Sequence, residues 1–334
     1  MLNYTIRRLI LAIPTLLFIS LVIFFIVKLS PSDPTANLPL TIPPEVREKI
    51  RESLGVNQPL LVQFGLWLKQ LLISEPLYWS NHLFGTNFEI GQRIISYQTR
   101  SPVMDIVIQR MPQTLTVVGT SYLVGIIIAL PIGIISAYRQ YSVFDQAGTF
   151  VSMIGFSVPP FFSGVLVIVI FSVQLGWLPS IYDTTHVVTD WDSFVVQFKQ
   201  MVMPVMVLAL QTTAQISRFL RASMLDNLNQ DYVRTARAKG LSERVVVLLH
   251  VLRNSMIPVI TVIALGVPAI FGGAIITEQV FKVNGLGQLL IISIQAGDVP
   301  TVQTLTFMFP VLIVLFNLVA DVLYGLLDPR IRYD

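Results

Sequence analysis

Six long stretches of this chain contain no Asp, Glu, Lys or Arg: Leu9–Val27, Met111–Tyr138, Gln146–Tyr182, Gln200–Ser217, Asn254–Thr277 and Val299–Ala320. About 20 residues of helix cover the ~30 Å of hydrocarbon in a bilayer, and each stretch meets or nearly meets that length. Inside lipid the backbone must satisfy its own N–H and C=O groups, so only helices or a closed barrel can cross. The stretches lack the two-residue alternation of barrel strands. The chain therefore reads as all-α, a polytopic membrane protein with six transmembrane helices, one per stretch. Composition agrees, with 54% of residues apolar and 12% charged, about half the charged share of a soluble protein.

The third stretch is too long for one span. It contains Pro159 and Pro160 and runs into Leu175-Gly-Trp-Leu-Pro179, where Trp177 suits headgroup depth, so one helix is expected near 148–175. Arg7 and Arg8 ahead of the first stretch resemble the start of a signal peptide. The stretch is long, however, and passes into Lys28-Leu-Ser-Pro-Ser-Asp-Pro34 without a small-x-small cleavage site, so a retained first span is expected. The chain has no cysteine, and His82, His186 and His250 are scattered. With no paired carboxylates and no ligand spacing, no catalytic residue and no metal centre is assigned.

Six spans place both termini on one side. With the N-terminus inside, the cytoplasmic segments hold Arg7, Arg8, Arg139, Arg218, Arg221, Arg234, Arg237, Lys239, Arg244, Arg253, Arg330 and Arg332, against Lys199 and Lys282 in the short outer loops. That asymmetry selects N-in and C-in, since the long segment after the first span translocates largely regardless of charge. The organisation expected is an N-terminal span over 1–30, an extracytoplasmic helical segment over 31–110, a core of five spans over 111–328 with a cytoplasmic loop at 222–255, and a tail at 329–334.

In the outer segment, Pro43-Pro-Glu-Val-Arg-Glu-Lys-Ile50 starts a helix that Gly55 stops, and Pro59–Leu72 carries apolar residues at helical spacing. This small cap either packs over the span ends or docks an extracytoplasmic partner. Residues 74–101 lack periodicity and read as loop.

The most basic stretch lies between the fourth and fifth spans, Arg218 to Arg253. A short helix is expected there, capped by Asn229 or Asp231, with Asp231 at its positive end, Arg237 and Lys239 at its negative end, and Gly240 as a left-handed stop. A second helix begins near Ser242. About nine residues make only ~13 Å of helix, too short to be stable alone and too polar to cross lipid, so it must rest on a partner. A solvated positive-inside loop is the plainer reading. Nucleic-acid binding is disfavoured because spans tether the segment at both ends.

Arg234-Thr-Ala-Arg-Ala-Lys-Gly-Leu241, with His250-x-Leu-Arg-Asn254 and Pro258, resembles the cytoplasmic coupling loop of binding-protein-dependent ABC transporter permeases, in the dipeptide, oligopeptide and nickel branch. Further strings agree in order: Pro31-Ser-Asp-Pro34, Arg110-Met-Pro-Gln-Thr-Leu115, Ser157-Val-Pro-Pro-Phe161, Gly285-Leu-Gly287 and Asp321-Val-Leu-Tyr-Gly-Leu-Leu-Asp-Pro-Arg-Ile-Arg-Tyr333. Where the general loop motif begins Glu-Ala-Ala, this chain has Arg234, Thr235 and Ala236. The outer segment lacks the family's Gly-Asp-Leu-Gly stretch, so no binding-protein contacts are carried over to it.

The resemblance implies an ABC type I permease fold and an importer subunit for peptides or a similar small solute. It implies that Asp231, Tyr232, Arg234, Thr235, Ala236, Arg237, Ala238, Lys239, Gly240 and Leu241 couple ATPase closure to alternating access. The implied partners are two ATP-binding cassette subunits, a second homologous permease in a heteromer, an extracytoplasmic solute-binding protein and the lipid bilayer. ATP and Mg would be bound by the partner subunits and no cofactor by this chain, which lacks a G-x-x-x-x-G-K-[ST] phosphate loop. Gln211, Thr212, Gln215, Asn317 and Asp321 are candidates for the translocation path, or alternatively interhelical glue, as are Thr213 and Ser217. Gly266, Gly272 and Gly273 allow close helix approach. A secondary transporter or channel working without an ATPase is the rival class. The cargo stays open among dipeptide, longer peptide, nickel chelate, glutathione and other small solutes.

Overall fold

A computed structural model describes residues 2–29, 43–53, 57–272 and 274–327. Pro31–Pro34, Gly55, Gly273 and the last residues of the C-terminal string lie outside the described residues. In chain order the helices are α1 (Leu2–Leu29), α2 (Pro44–Ser53), α3 (Leu60–Lys69), α4 (Glu75–Phe84), α5 (Val103–Thr114), α6 (Thr120–Tyr138), α7 (Val143–Ser157), α8 (Pro160–Val167), α9 (Trp191–Leu228), α10 (Asp231–Ala238), α11 (Glu243–Val245), α12 (Leu252–Gly272), α13 (Ile275–Phe281), α14 (Leu286–Gln295) and α15 (Val299–Leu327). Wide π turns at Gln70–Ser74, Leu115–Gly119, Ile168–Gln174 and Val246–Val251 follow α3, α5, α8 and α11. Among the described residues the only β pairing is an isolated bridge between Ile95 and Pro102.

Among the described residues, five helices are long and apolar enough to cross a membrane: Ile6–Leu29, Val103–Tyr138, Trp191–Leu228, Glu243–Ile270 and Val299–Val319. The third apolar stretch is not the single helix expected near 148–175. It is a pair, Val143–Ser157 and Pro160–Gln174, bent by 105°, and counting the pair as one span gives six. The cause is local. Val158 precedes a proline and sits extended at φ −82, ψ 123, because the following ring excludes the helical conformation.

Helices overrun the uncharged stretches. The second span starts at Val103 rather than Met111, and α9 runs for 38 residues, ~57 Å at 1.5 Å per residue. Asp190 anchors α9 in a reciprocal capping box, its side chain accepting from Ser193 N–H at 2.8 Å while Ser193 Oγ meets the Asp190 N–H at 2.9 Å. Residues 74–101, read as loop, are helical as far as Phe84. Periodicity misses α4 because polar and aromatic contacts hold it. Glu75, almost fully buried, accepts from Arg93 Nε and Nη2 at 3.1 and 2.8 Å, and Arg93 lies 3.7 Å above the Tyr78 ring.

The chain divides into two compact units. One comprises Leu9–Pro112 and Gln288–Val311. Its interior gathers Phe24, Phe64, Trp67 and Phe307, with ring centroids 5.4–6.2 Å apart, and Asp298 pins the following loop by accepting from Ser96 Oγ (2.5 Å) and Tyr97 N–H (2.8 Å). The other comprises Met1–Arg8, Gln113–Gly287 and Leu312–Asp334. Its organising contact is α6 against α9. A Cβ on Gly125 would stand 2.6 Å from Thr212 Cβ, and one on Gly133 would stand 3.0 Å from Leu220 Cβ, so the two backbones touch where side chains are missing.

Three polar links brace this second unit. Arg221 of α9 donates from Nε and Nη2 to both Asp145 oxygens of α7 at 2.7 and 2.8 Å. Tyr122 Oη of α6 donates to Ile263 O of α12 at 2.6 Å, with Gly266 beside the ring as the packing role of that glycine requires. Thr114 Oγ1 donates to the buried Glu278 Oε1 and accepts from Leu286 N–H, both at 2.8 Å.

Two outcomes follow for the purified chain in detergent. Gly125→Val forces α6 off α9 and is expected to cost about 1–3 kcal/mol, read as a lowered melting temperature, whereas Gly65→Ala, with nothing within 4 Å, is expected to leave it unchanged or raised. Equal melting for both variants would refute the close approach. Asp145→Asn strips Arg221 of its carboxylate and is expected to cost about 2–3 kcal/mol, less than for a fully buried pair because Arg221 keeps 27% side-chain exposure. Stability unchanged in that variant would mean the pair does not brace α7 on α9.

Candidate coupling site

The predicted short helix is α10, and its ends are built from backbone chemistry. Neither Asn229 nor Asp231 caps its start. Gln230 occupies that position, extended at φ −78, ψ 153 and without a side-chain bond. Asn229 is engaged instead in closing α9, its Nδ2 donating to Leu225 O at 3.1 Å. Asp231 stands one place later, in the first turn, where its charge favours the positive helix end. Tyr232 Oη donates to Asn227 Oδ1 at 2.7 Å and ties α10 back to the last turn of α9.

The far end is a Schellman motif. Gly240 sits at φ +78, its N–H donates to Arg237 O at 2.9 Å, and Leu241 N–H donates to Ala236 O at 3.4 Å. The next helix begins at Glu243 after Ser242, as the sequence suggests. Arg237 bridges the gap, with Nε 2.8 Å from Glu243 Oε1 and Nη2 3.3 Å from Oε2.

The helix has two faces. Val233 and Ala236, 0% and 5% exposed, enter a buried cluster with Ile216, Leu220 and Met224 of α9, Val246, Val247 and Val251 of the π turn, and Val259 of α12. The partner that so short a helix needs is therefore its own chain. Asp231, Tyr232, Arg234, Thr235, Ala238, Lys239, Gly240 and Leu241 face outward, and Arg237 is also exposed. The Arg234–Asp231 pair on that face spans 3.5 Å in full solvent and contributes little. The inner face of α10 rests on the π turn Val246–Val251.

That junction is stiffened by groups the sequence does not announce as partners. Ser223 of α9 and Ser255 of α12 exchange hydroxyl-to-carbonyl bonds at 3.0 and 3.3 Å. Arg221, two residues before Ser223 on α9, carries the pair with Asp145 of α7. Among the described residues, no group of three or more His, Asp or Glu side chains could hold a metal ion.

The path candidates separate. Thr213 Oγ1 donates to Gly125 O at 3.1 Å and is glue between α6 and α9. Ser217 bonds within its own helix to Ala214 O at 3.4 Å, and Thr212 packs on Gly125 while bonding to Leu208 O at 3.4 Å. Gln211 and Gln215 share with Arg218 one stripe of α9, Gln211 half-buried and the other two exposed, with the Arg218 guanidinium 5.8 Å over the Phe156 ring of α7. Asn317 is half-buried in α15, which also contains Asp321.

The comparisons with known proteins agree with this architecture. Residues 129–333 match the family described as "Binding-protein-dependent transport system inner membrane component", and residues 1–118 match its N-terminal companion. The chain is 37% identical to the oligopeptide transport system permease protein AppB of Bacillus subtilis (strain 168), covering 99% of each chain. It is 39% identical to the glutathione transport system permease protein GsiC of Escherichia coli (strain K12), covering 100% of each. A solved chain of the MetNI methionine ABC transporter, in inward-facing conformation, superposes with a TM-score of 0.52 at 18% identity, over 68% of this chain and 99% of that one, a likeness of fold. Apolar helices enough for five or six crossings, a short helix docked between two of them and a family match over most of the length converge: the chain belongs to the binding-protein-dependent transport system inner membrane components.

Proposed function

We propose that the chain forms half of the translocation path of an importer that carries peptides or a similar small solute, driven by ATP hydrolysed on two partner subunits. Family membership makes it a permease subunit and disfavours the rival secondary transporter or channel. The peptide assignment rests on the relatives named for oligopeptide and glutathione transport. The observation that carries the coupling mechanism is the division of α10 into a buried stripe, Val233 and Ala236, and an exposed face bearing Arg234, Thr235, Ala238 and Lys239.

In this reading the outer face of α10 seats in the ATPase subunit. Closure of the ATPase pair displaces α10, and the buried stripe passes that displacement to α9 and α12. No nucleotide or other cofactor is held by this chain, which itself catalyses nothing. A second, related permease completes the path as a heteromer, and a solute-binding protein delivers cargo on the face opposite α10. Both termini are cytoplasmic, consistent with the basic residues of the 222–255 loop. The half-buried Gln211 and exposed Gln215 support a path-facing or partner-facing side for α9, because amide groups are costly against hydrocarbon.

Replacing Gly240 tests the lever. A side chain there meets open space but pays about 1–2 kcal/mol for the left-handed backbone, so Gly240→Val is expected to insert normally, lose tenfold or more of transport in proteoliposomes with the partner subunits, and leave ATP hydrolysis uncoupled or abolished. Wild-type transport would sink the mechanism. Reversing the outer charges with Arg234→Glu and Lys239→Glu is expected to weaken co-purification of the ATPase subunits at least tenfold, and undiminished recovery would place the ATPase contact elsewhere.

A further inference from the structure

The α9 crossing carries one polar line along a mostly apolar span. Gln211, Gln215 and Arg218 follow one another at four- and three-residue steps, which puts them on one face of the helix. Gln211 is half-buried, and Gln215 and Arg218 are exposed. Arg218 has no carboxylate partner among the described residues. Arg221, three residues on, holds Asp145, and the other ion pairs of these residues lie elsewhere. Asp226 shares the line but stands eight residues further along the helix, ~12 Å away.

The direction of the Arg218 side chain is a second, independent observation. α7 and α9 run antiparallel, with Asp145 opposite Arg221 and Gly155 opposite Leu210, where a Cβ on the glycine would stand 2.8 Å from Leu210 Cγ. The backbone of Phe156 therefore lies near the depth of Leu210, ~12 Å into the span from that of Arg218. The Arg218 guanidinium stands 5.8 Å from the centre of the Phe156 ring. Its side chain thus runs back along α9, as helical side chains tilt, into the uncharged stretch Gln200–Ser217. A cation serving only the charge balance of the loops would turn the other way, toward water at the α10 end. A guanidinium held within a span without a carboxylate is costly unless it faces an aqueous cavity or an anion. A ring at 5.8 Å, near the limit of cation–π attraction, offsets little of that cost.

We propose that Arg218 binds the carboxylate of the transported solute, with Gln215 and Gln211 continuing the contact along its amide groups. This rests on the peptide-importer reading above and adds the chemical class of cargo, a short peptide or similar solute with a free carboxylate. Charge and length both select it. A guanidinium offers two parallel N–H donors to a carboxylate, and each glutamine side chain both donates and accepts, as a peptide group does. The line from Gln211 to Arg218 is ~10 Å long, the reach of three extended peptide residues at ~3.3–3.6 Å each. An acyl chain or a neutral solute would leave the guanidinium without its counter-charge.

The test uses the whole transporter in proteoliposomes, this chain with its partner permease, the two ATPase subunits and the solute-binding protein. The probes are trialanine and glutathione, each with its C-terminal carboxylate free or amidated. Selection by the binding protein is common to all variants of this chain, so a change in the acid-to-amide uptake ratio reads the path alone. Arg218→Gln is expected to lower that ratio at least fivefold and Arg218→Lys, which keeps the charge but not the fork, to lower it less. Both variants are expected to co-purify the ATPase subunits in wild-type yield, which separates lost recognition from lost folding. An equal ratio in wild type and Arg218→Gln would overturn the proposal. So would an equal fall in uptake of acid and amide, the result expected if Arg218 meets an acidic residue of the partner permease instead. Either result overturns this proposal alone, whereas a wild-type transporter that moves neither probe would overturn the peptide-importer reading and this proposal with it.

Discussion

An amide or carbonyl without a partner costs several kcal/mol in hydrocarbon, and that constraint decides where this chain is allowed to depart from an α-helix. The sharp bend of the third crossing shows how. Pro159 and Pro160 bring no N–H to the corner. The Pro159 carbonyl is taken by the N–H groups of Phe162 and Ser163 at 3.0 and 3.2 Å and by Ser163 Oγ at 3.2 Å, and Val158 N–H still reaches Ile154 O at 2.9 Å. A 105° turn is thus made inside an apolar run with its polar backbone largely provided for. The four π turns obey the same rule, since each keeps the hydrogen-bonded ladder going while changing its pitch.

A helix of eight residues has little stability of its own, and α10 persists because its inner stripe is buried. Covering a valine contributes about 1.5–3 kcal/mol and an alanine methyl about 0.8 kcal/mol, comparable to the deficit of so short a helix. The same burial that holds α10 in shape fastens it to two membrane crossings. Folding energy and mechanical connection are one set of contacts, those of the buried cluster that Val233 and Ala236 share with the π turn and, beyond it, with α9 and α12.

The crossings were legible wherever an apolar run is unbroken by charge and by proline pairs, which covers α1, α6, α9, α12 and α15 in type if not in length. Charged ends were invisible to that criterion. Asp105 and Arg110 sit inside the second helix, and Asp192, Lys199 and Arg221 inside α9, because helices continue past the lipid into water. The stop at Gly240 was readable, since only its backbone conformation matters, whereas the start was misassigned because Asn229 ends α9 and leaves the cap position of α10 to Gln230. Helix α4 escaped notice because its anchor, Arg93, lies 18 residues from Glu75. The brace between Asp145 and Arg221 spans 76 positions and that between Thr114 and Glu278 spans 164. Such pairings are settled by how helices stack, and nothing in residue order alone expresses them.

The wide turn at Val246–Val251 lies directly under α10 and within the first turns of the crossing Glu243–Ile270. A π turn holds one residue more than an α turn and closes its bonds five residues apart. When such a surplus residue migrates along a helix, bonds are exchanged one at a time, and the segment beyond advances by ~1.5 Å and swivels by ~100°. The pedestal on which α10 stands is therefore built with the pitch of a screw thread as well as serving as a support.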